Sequence, residues 1–353
     1  MNDFKNKVDF FIKNSKNFYE DSSLSNIDKK HETIVADAYK LIDTSFSPSK
    51  IRNWQGQSDQ TSNFRNTKLL RFTVGDYFFK PNFFTKLYNK LFQTFNINKF
   101  VLSELLDDIA IIEMVGGRDL LLNNPQDKTP GASLIPKING YSVSNRWVRY
   151  IYILNQIIKK NILKDNGIWV DIGSFYGGLQ GLIRKYFPKS KIVMVDFHHQ
   201  LLRSYIYLNE LYPNSIHILP NEINSYNSFN DLPDNCFVYV PVNDYAKISN
   251  FKCDLFTNFF SFGEMRREFF LNYFNSNLLK NANNIYLVNR FVSSPFFEKT
   301  YDTDLTYNDY IIKNKLPIYF DVFPIHHYLI LSRSLFGRHF FRNVSSSYFE
   351  IIY

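Results

Sequence analysis

The residues from Val170 to Leu179 form a glycine-rich turn whose spacing suits the binding of a nucleotide-like ligand. Gly173, Gly177 and Gly178 stand between an apolar run typical of a strand and an amphipathic run typical of a helix. Glycines at such a turn let the backbone approach a ligand closely, and the helix beyond it offers free N–H groups. The next predicted strand ends at Asp196, where a carboxylate accepts hydrogen bonds from ribose hydroxyls. The pattern therefore predicts a cofactor that contains a nucleoside.

Two positions of the turn help to choose between cofactors. Ser174 and Phe175 stand where the dinucleotide fingerprint carries glycine. S-adenosylmethionine has no pyrophosphate to cradle, so it needs fewer glycines, and it fits the turn better than NAD. A methyltransferase that acts on another small anionic metabolite is one alternative, and an NAD-dependent sugar-modifying oxidoreductase is the other. It would need a fuller Gly-x-Gly-x-x-Gly and a Tyr-x-x-x-Lys type of hydride-transfer site, and neither stands near the expected strand end.

Strand and helix patterns alternate around this turn, which predicts an α/β fold. The predicted strands lie near residues 168–172, 191–196, 236–241, 254–259 and 285–290. The predicted helices lie near 178–187, 199–211 and 265–279. The chain then shows two strand patterns, 317–322 and 328–332, separated by a short turn. A doubly wound, Rossmann-like sheet that ends in an antiparallel hairpin is the architecture of class I methyltransferases.

The sequence pattern of the first 140 residues differs from that of the rest of the chain. Helical patterns near 4–14, 30–43 and 102–112 predict a mainly helical N-terminal region, which would cover the substrate or support oligomerisation. A proline- and glycine-punctuated loop over 123–141 separates it from a helix at about 145–160. We therefore predict two units, residues 1–140 and a cofactor-binding domain over residues 141–353.

Composition limits the function classes. The chain has 353 residues, 45% of them hydrophobic, and a formal charge of +8 that is spread along the sequence. A spread excess suits an anionic small molecule, and without Lys/Arg stripes it predicts neither nucleic-acid binding nor a basic scaffold. Two cysteines, Cys236 and Cys253, show no metal-ligand spacing. With no signal-like N-terminus and no long apolar run, we expect a cytoplasmic protein without stable membrane insertion, either monomeric or a homo-oligomer.

Two motifs resemble those of a bacterial family of sugar O-methyltransferases, which belong to the class I S-adenosylmethionine-dependent enzymes. The first is the turn Asp171-Ile172-Gly173-Ser174-Phe175-Tyr176-Gly177-Gly178-Leu179. The second is Asp254-Leu255 followed by Asn258 and by Ser261-Phe262-Gly263-Glu264-Met265. The resemblance spans about residues 113–335 and includes the arginine-bearing segment around Asn145 to Tyr150. It implies methyl transfer to a hydroxyl of a sugar or activated sugar destined for a surface polysaccharide.

The resemblance and the expected strand ends together define a candidate site. For catalysis we select Glu264, which either removes the acceptor proton or merely caps the following helix, and the loop histidines His326 and His327. For the substrate we select Arg146 and Ser261, and no metal is expected. Arg146 and Arg149 pair with the methionine carboxylate or with a substrate phosphate, or else form a solvated helix face. The cofactor contacts are predicted to be Asp171, Gly173, Ser174, Tyr176, Gly177, Asp196, Phe197, Asn243, Asn258 and Arg149.

Overall fold

The fold is described from a computed structural model of the chain. The structure describes residues 2–19, 105–126, 129, 137–293, 305–325, 330–335, 338–343 and 347–353.

An eight-stranded mixed sheet forms the centre of the described fold. Its strands are β1 Ile168–Ile172, β2 Lys191–Asp196, β3 Ile216–Ile218, β4 Cys236–Pro241, β5 Leu255–Phe259, β6 Asn284–Arg290, β7 Tyr319–Val322 and β8 Tyr348–Ile352. They lie in the order β3-β4-β2-β1-β5-β6-β8-β7. Strand β8 is antiparallel to both of its neighbours, whereas the other pairs are parallel. The first strands are added on one side of β1 and the later ones, from β5 onward, on its other side, and this order is the Rossmann-like class I methyltransferase fold.

Helices cover both faces of the sheet. The described helices are α1 Asn2–Tyr19, α2 (residues 105–114), α3 Arg118–Asn123, α4 Asn145–Lys160, α5 Gly178–Tyr186, α6 His198–Leu211, α7 Tyr245–Ile248, α8 Arg267–Phe274 and α9 Asn277–Lys280. Side chains alternate along each central strand, so Trp169 packs with the cluster under α1, α4, α5 and α6, whereas Val170 packs with the cluster under α7, α8 and α9. Burial on both faces explains why β1, β2 and β4 are almost continuously apolar.

The described parts of the N-terminal region share the core of the main sheet. In α1, Phe4 stacks on Tyr205 of α6 with ring centroids 5.7 Å apart, and Phe11 packs edge-on against Tyr239 of β4. The apolar stripe predicted at 102–112 is seen in α2, where Leu105, Ile109 and Ile112 are buried. Whether residues 1–140 form a unit of their own stays a prediction. No helix in the described ranges is long and apolar enough to cross a membrane.

Several elements differ from the sequence-based expectation. The short edge strand β3 was not predicted. The helix expected over 265–279 is broken into α8 and α9, because Ser276 caps a new helix by accepting a hydrogen bond from the backbone N–H of Leu279. The antiparallel partner in the main sheet is β8, not the strand expected at 328–332. Residues Ile330–Leu335 instead pair with Arg338–Asn343 in a separate two-stranded sheet.

Candidate functional site

The glycine-rich turn lies at the carboxyl end of β1, where the strand order reverses. Gly173 has a φ of +83°, and its N–H donates to Val195 O of β2 at 2.8 Å. A Cβ at this position would overlap the hydroxyl of Ser261 and lie 2.9 Å from the Ser261 Cβ. The left-handed backbone and the close approach of the next loop both require glycine here. Gly177, with a φ of +85°, is the N-cap residue of α5 and completes the turn.

Asp196 links the end of β2 to this turn by hydrogen bonding. Its Oδ2 accepts the backbone N–H of Phe175 at 2.7 Å, and its Oδ1 accepts that of Phe197 at 2.7 Å. An ionised carboxylate has about four acceptor positions, so the two contacts orient the group and still allow it to accept from a ribose diol. Phe197, the N-cap residue of α6, therefore contributes its backbone to the site.

Asp171 lies beneath the turn and is almost fully buried. Its Oδ1 accepts a hydrogen bond from the Thr257 hydroxyl at 2.5 Å, and its Oδ2 accepts one from the Gln180 amide at 2.6 Å. Burial and, to a smaller extent, the charge of Asp196 raise the pKa of Asp171 to about 8, against the lowering effect of the two hydrogen bonds. Asp171 thus holds α5 and β5 against β1 from below. This placement favours an orienting role for Asp171 over direct contact with a ligand.

Asn258 is the centre of a hydrogen-bond network behind Gly173. Its amide nitrogen donates to Ile172 O at 2.8 Å and to the Ser261 hydroxyl at 2.5 Å. Its oxygen accepts from the Phe262 N–H and from the Asn289 amide. These four protein partners use the full capacity of a buried amide. Asn258 thus sets Ser261 against the turn, and its direct contact with the cofactor stays a prediction.

Glu264 follows β5 in a short 3₁₀ turn, Phe262–Glu264, on the same side of the sheet. Its carboxylate accepts from the Arg290 guanidinium at 3.4 Å, and Arg290 donates its Nε–H to the Tyr348 hydroxyl at 2.8 Å. The Glu264 side chain keeps 38% of its surface accessible, whereas that of Arg290 keeps 1%. Desolvation by the surrounding protein nevertheless raises the pKa of Glu264, against the lowering effect of Arg290 and Arg146. The carboxylate is thus accessible to a ligand while Arg290 holds it from the protein side.

Arg146 and Arg149 lie one turn apart at the start of α4 and face this edge. The Arg146 guanidinium carbon lies 4.5 Å from the ring centroid of Phe175, and that of Arg149 lies 5.1 Å from the ring centroid of Phe260. Arg149 is buried and donates its Nε–H to Asn145 O at 3.3 Å, whereas Arg146 is half-buried. Both guanidinium groups thus lie over aromatic rings of the site, and their pairing with the cofactor or with the substrate stays a prediction.

The remaining predicted residues are distributed differently. Tyr176 is fully buried, and its ring packs on Tyr150 and Tyr207, so the side chain belongs to the core behind the turn. Asn243 is exposed in the 3₁₀ turn after β4, and its adenine contact stays a prediction. His326 and His327 lie outside the described residues. In the described ranges no group of three His, Cys, Asp or Glu side chains stands close enough to hold a metal ion.

Some residues of this network were not found from the sequence. Thr257, Gln180, Asn289 and Arg290 act through partners that are between 9 and 88 positions away, as in the Gln180–Asp171 and Trp169–Thr257 hydrogen bonds. One signal was present, however. Asn289 and Arg290 are polar residues that end an otherwise apolar strand. Polar residues at the carboxyl end of a parallel strand are typical of functional edges.

The residues at the turn fit a nucleoside cofactor with an amino-acid tail. Ser174 is buried, and its hydroxyl has no hydrogen-bond partner within the described part of the chain. A buried polar atom without a partner is uncommon and often marks a ligand position. Together with the oriented Asp196 carboxylate and the left-handed Gly173, it provides donors and acceptors for a ribose and for a polar tail.

No protein-family model and no curated protein matches this chain. Solved structures of methyltransferases are similar to parts of it. A protein from Galdieria sulphuraria, assigned as a sarcosine dimethylglycine methyltransferase, is 16% identical, with 40% of this chain and 46% of that chain covered and a TM-score of 0.29. A protein from Bacillus halodurans, assigned as a methyltransferase, is 10% identical, with 56% and 96% covered and a TM-score of 0.34.

A third structure contains bound ligands. Haemonchus contortus phosphoethanolamine N-methyltransferase 2, solved with phosphomonomethylethanolamine and S-adenosylhomocysteine, is 12% identical, with 44% of this chain and 31% of that chain covered and a TM-score of 0.29. The chain spans less than half the length of the Galdieria and Haemonchus proteins. Similarity this distant does not assign a substrate. The class I methyltransferase fold rests on the chain's own strand order, with β8 antiparallel between β6 and β7.

Proposed function

We propose that this chain is an S-adenosylmethionine-dependent O-methyltransferase that acts on a hydroxyl of a sugar or activated sugar. One observation carries the proposal. The Phe175 N–H of the Gly173 turn donates a hydrogen bond to the Asp196 carboxylate, at the point where the strand order reverses. In doubly wound sheets this switch point, at the carboxyl ends of the strands, is where nucleoside cofactors bind.

Residues of three elements would hold the cofactor. Asp196 would accept the ribose hydroxyls, Gly173 would let the backbone approach the ligand, and the Ser174 hydroxyl would bond the methionine portion. Arg149, buried at the start of α4, would pair with the carboxylate of the cofactor. When bound, S-adenosylmethionine supplies an electrophilic methyl group on a sulfonium.

Glu264 is the proposed general base for the acceptor hydroxyl. A sugar hydroxyl is a weak acid, so its proton must be accepted as the oxygen attacks. The raised pKa of Glu264 makes its carboxylate a stronger base than an exposed glutamate, and Arg290 keeps it in a fixed orientation. Ser261, held by Asn258 beside Gly173, would bond the acceptor.

A methyl-transfer assay tests this function. The protein is incubated with methyl-labelled S-adenosylmethionine and a panel of free sugars, sugar phosphates and nucleotide-sugars. We expect label in at least one sugar, and Glu264→Gln should lower turnover by about 10²–10⁴-fold with cofactor affinity unchanged within a few-fold.

Glu268→Gln is the matched control, because it makes the same chemical change on an exposed side chain of α8. Turnover of this variant should equal that of the wild type. His326→Asn and His327→Asn test the rival bases. Near-normal turnover of Glu264→Gln, with a large loss in either histidine variant, would contradict the role of Glu264. Label found only in nucleic acid or protein would contradict the sugar acceptor.

A further inference from the structure

Two guanidinium groups share one aromatic ring at the rim of the candidate site. Arg146 of α4 lies 4.5 Å from the centroid of the Phe175 ring, and Arg203 of α6 lies 5.4 Å from the same centroid. The first is half-buried and the second is buried. Each cation is attracted to the ring, but two cations this close repel one another. An anion bound beside the half-buried Arg146 would be attracted by both positive charges.

The ring is held in place by an unusual backbone. Phe175 has a φ of +56°, in the left-handed region that disfavours a side chain. Its N–H donates to Asp196, and its carbonyl accepts from the Ser204 hydroxyl at 2.7 Å. These contacts hold the phenylalanine where a glycine is usual in such turns. Strained positions of this kind cluster at ligand-binding sites.

Arg146 also acts on the proposed base. Its positive charge lowers the pKa of Glu264. Arg290, on the other side of Glu264, adds a further positive charge. The N–H groups of a guanidinium lie in one plane, in the geometry that binds phosphate oxygens in pairs.

We propose that the acceptor carries a phosphate or pyrophosphate ester, bound by Arg146 at the Phe175 ring, while Glu264 receives the proton of its hydroxyl. This inference rests on the proposed function and narrows its substrate to an activated, anionic sugar. Arg203 raises the positive potential around the ester. The neutral sugar and the free polysaccharide are then poor acceptors.

The test uses inorganic pyrophosphate as the probe and isothermal titration of the full chain. Pyrophosphate is titrated into the protein alone and into the protein saturated with S-adenosylhomocysteine. We expect binding in both states, and we expect Arg146→Gln to weaken it by about 10-fold or more, since a hydrogen-bonded charge pair is lost. The pyrophosphate affinity of Arg146→Lys, which keeps the charge but not the planar group, should lie between those of the wild type and Arg146→Gln.

Arg267→Gln is the matched control. It removes the same charge from an exposed surface ion pair with Asp309, and it should leave pyrophosphate affinity within about twofold. Equal affinities of the wild type and Arg146→Gln would overturn the proposal. So would loss of pyrophosphate binding when S-adenosylhomocysteine is present, because the anion site would then belong to the cofactor. Failure of S-adenosylhomocysteine to bind would count against the methyltransferase function instead, and the titration without it would still decide the anion site.

Discussion

The buried carboxyl of Asp171 should make the stability of this protein depend on pH in a defined direction. Its folded-state pKa is about 8, compared with 3.8 for the ordinary group. Between these values the folded protein keeps a proton that the unfolded chain has released. The contribution of this group to the free energy of unfolding is complete below about pH 4. It falls progressively as the pH rises and is lost once the pH has passed through about 8.

The size of the effect follows from linkage. With a folded pKa of about 8, raising the pH from 6 to 8 lowers the free energy of unfolding by about 2 kcal/mol through this group alone. Asp171→Asn should remove that part of the slope. The variant should also fold well, because Gln180 Oε1 is buried without a hydrogen-bond partner in the described residues. An asparagine amide can donate to it once the Gln180 amide is turned over.

Urea unfolding of the wild type and Asp171→Asn at pH 6, 7 and 8 measures the difference. The stability of the variant relative to the wild type should rise by about 2 kcal/mol over this range. Asp107→Asn, which changes an exposed carboxyl of α2, is the control and should run parallel to the wild type. If the Asp171→Asn and wild-type profiles are also parallel, Asp171 is ionised throughout and the reasoning from its burial is refuted.

Three further substitutions test separate parts of the structure. Gly173→Ala should lower the free energy of unfolding by about 2–4 kcal/mol, because the backbone φ is left-handed and the new Cβ would overlap Ser261. It should also abolish S-adenosylhomocysteine binding, and a well-folded variant that binds normally would contradict this. Glu350→Gln should flatten the stability profile between about pH 5 and 7, because burial raises the pKa of Glu350 to about 7; an unchanged profile in urea unfolding would disagree. Asn258→Ala should lower the free energy of unfolding by about 2–4 kcal/mol, because the Asn289 amide and the Phe262 N–H lose the oxygen to which they donate. A loss below about 1 kcal/mol would show that water replaces the amide.

The central parallel strands were predictable because burial on both faces leaves a continuous apolar run. β2 and β4 have the bounds expected from the sequence, Lys191–Asp196 and Cys236–Pro241. Strand β8 was missed because Glu350 interrupts its apolar run. That glutamate is fully buried, and it accepts hydrogen bonds from Tyr152 and Tyr286, which lie 198 and 64 positions away. A sequence pattern cannot show partners at that distance.

A local signal was overlooked in the loop expected at 123–141. Residues Lys137–Ile138 and Tyr141–Ser142 pair as a short hairpin. The two residues between them, Asn139 and Gly140, have φ values of +50° and +86°. Asn-Gly with both residues at positive φ is typical of the two-residue hairpin turn. This element could have been predicted from the dipeptide alone.

The candidate site was predictable in position but not in its network. The strand-turn-helix pattern placed the Gly173 turn and Asp196 together, and the structure joins them through the Phe175 N–H. The pairing of Glu264 with Arg290 depends on the register of β6, which the sequence does not reveal. The stacking of Arg146 on Phe175 likewise depends on how α4 packs against the turn.

Binding of S-adenosylhomocysteine, measured by isothermal titration, tests the central claim most directly. We predict micromolar affinity for the wild type, no measurable binding of NAD, and a loss of about 1–3 kcal/mol in Asp196→Ala. Asp254→Ala is the matched control, because Asp254 also accepts a backbone N–H, that of Ile168, but at the opposite end of the sheet, and it should bind normally. Tight binding of NAD without any response to S-adenosylhomocysteine would contradict the assignment of the Gly173 turn and Asp196 to a methyltransferase.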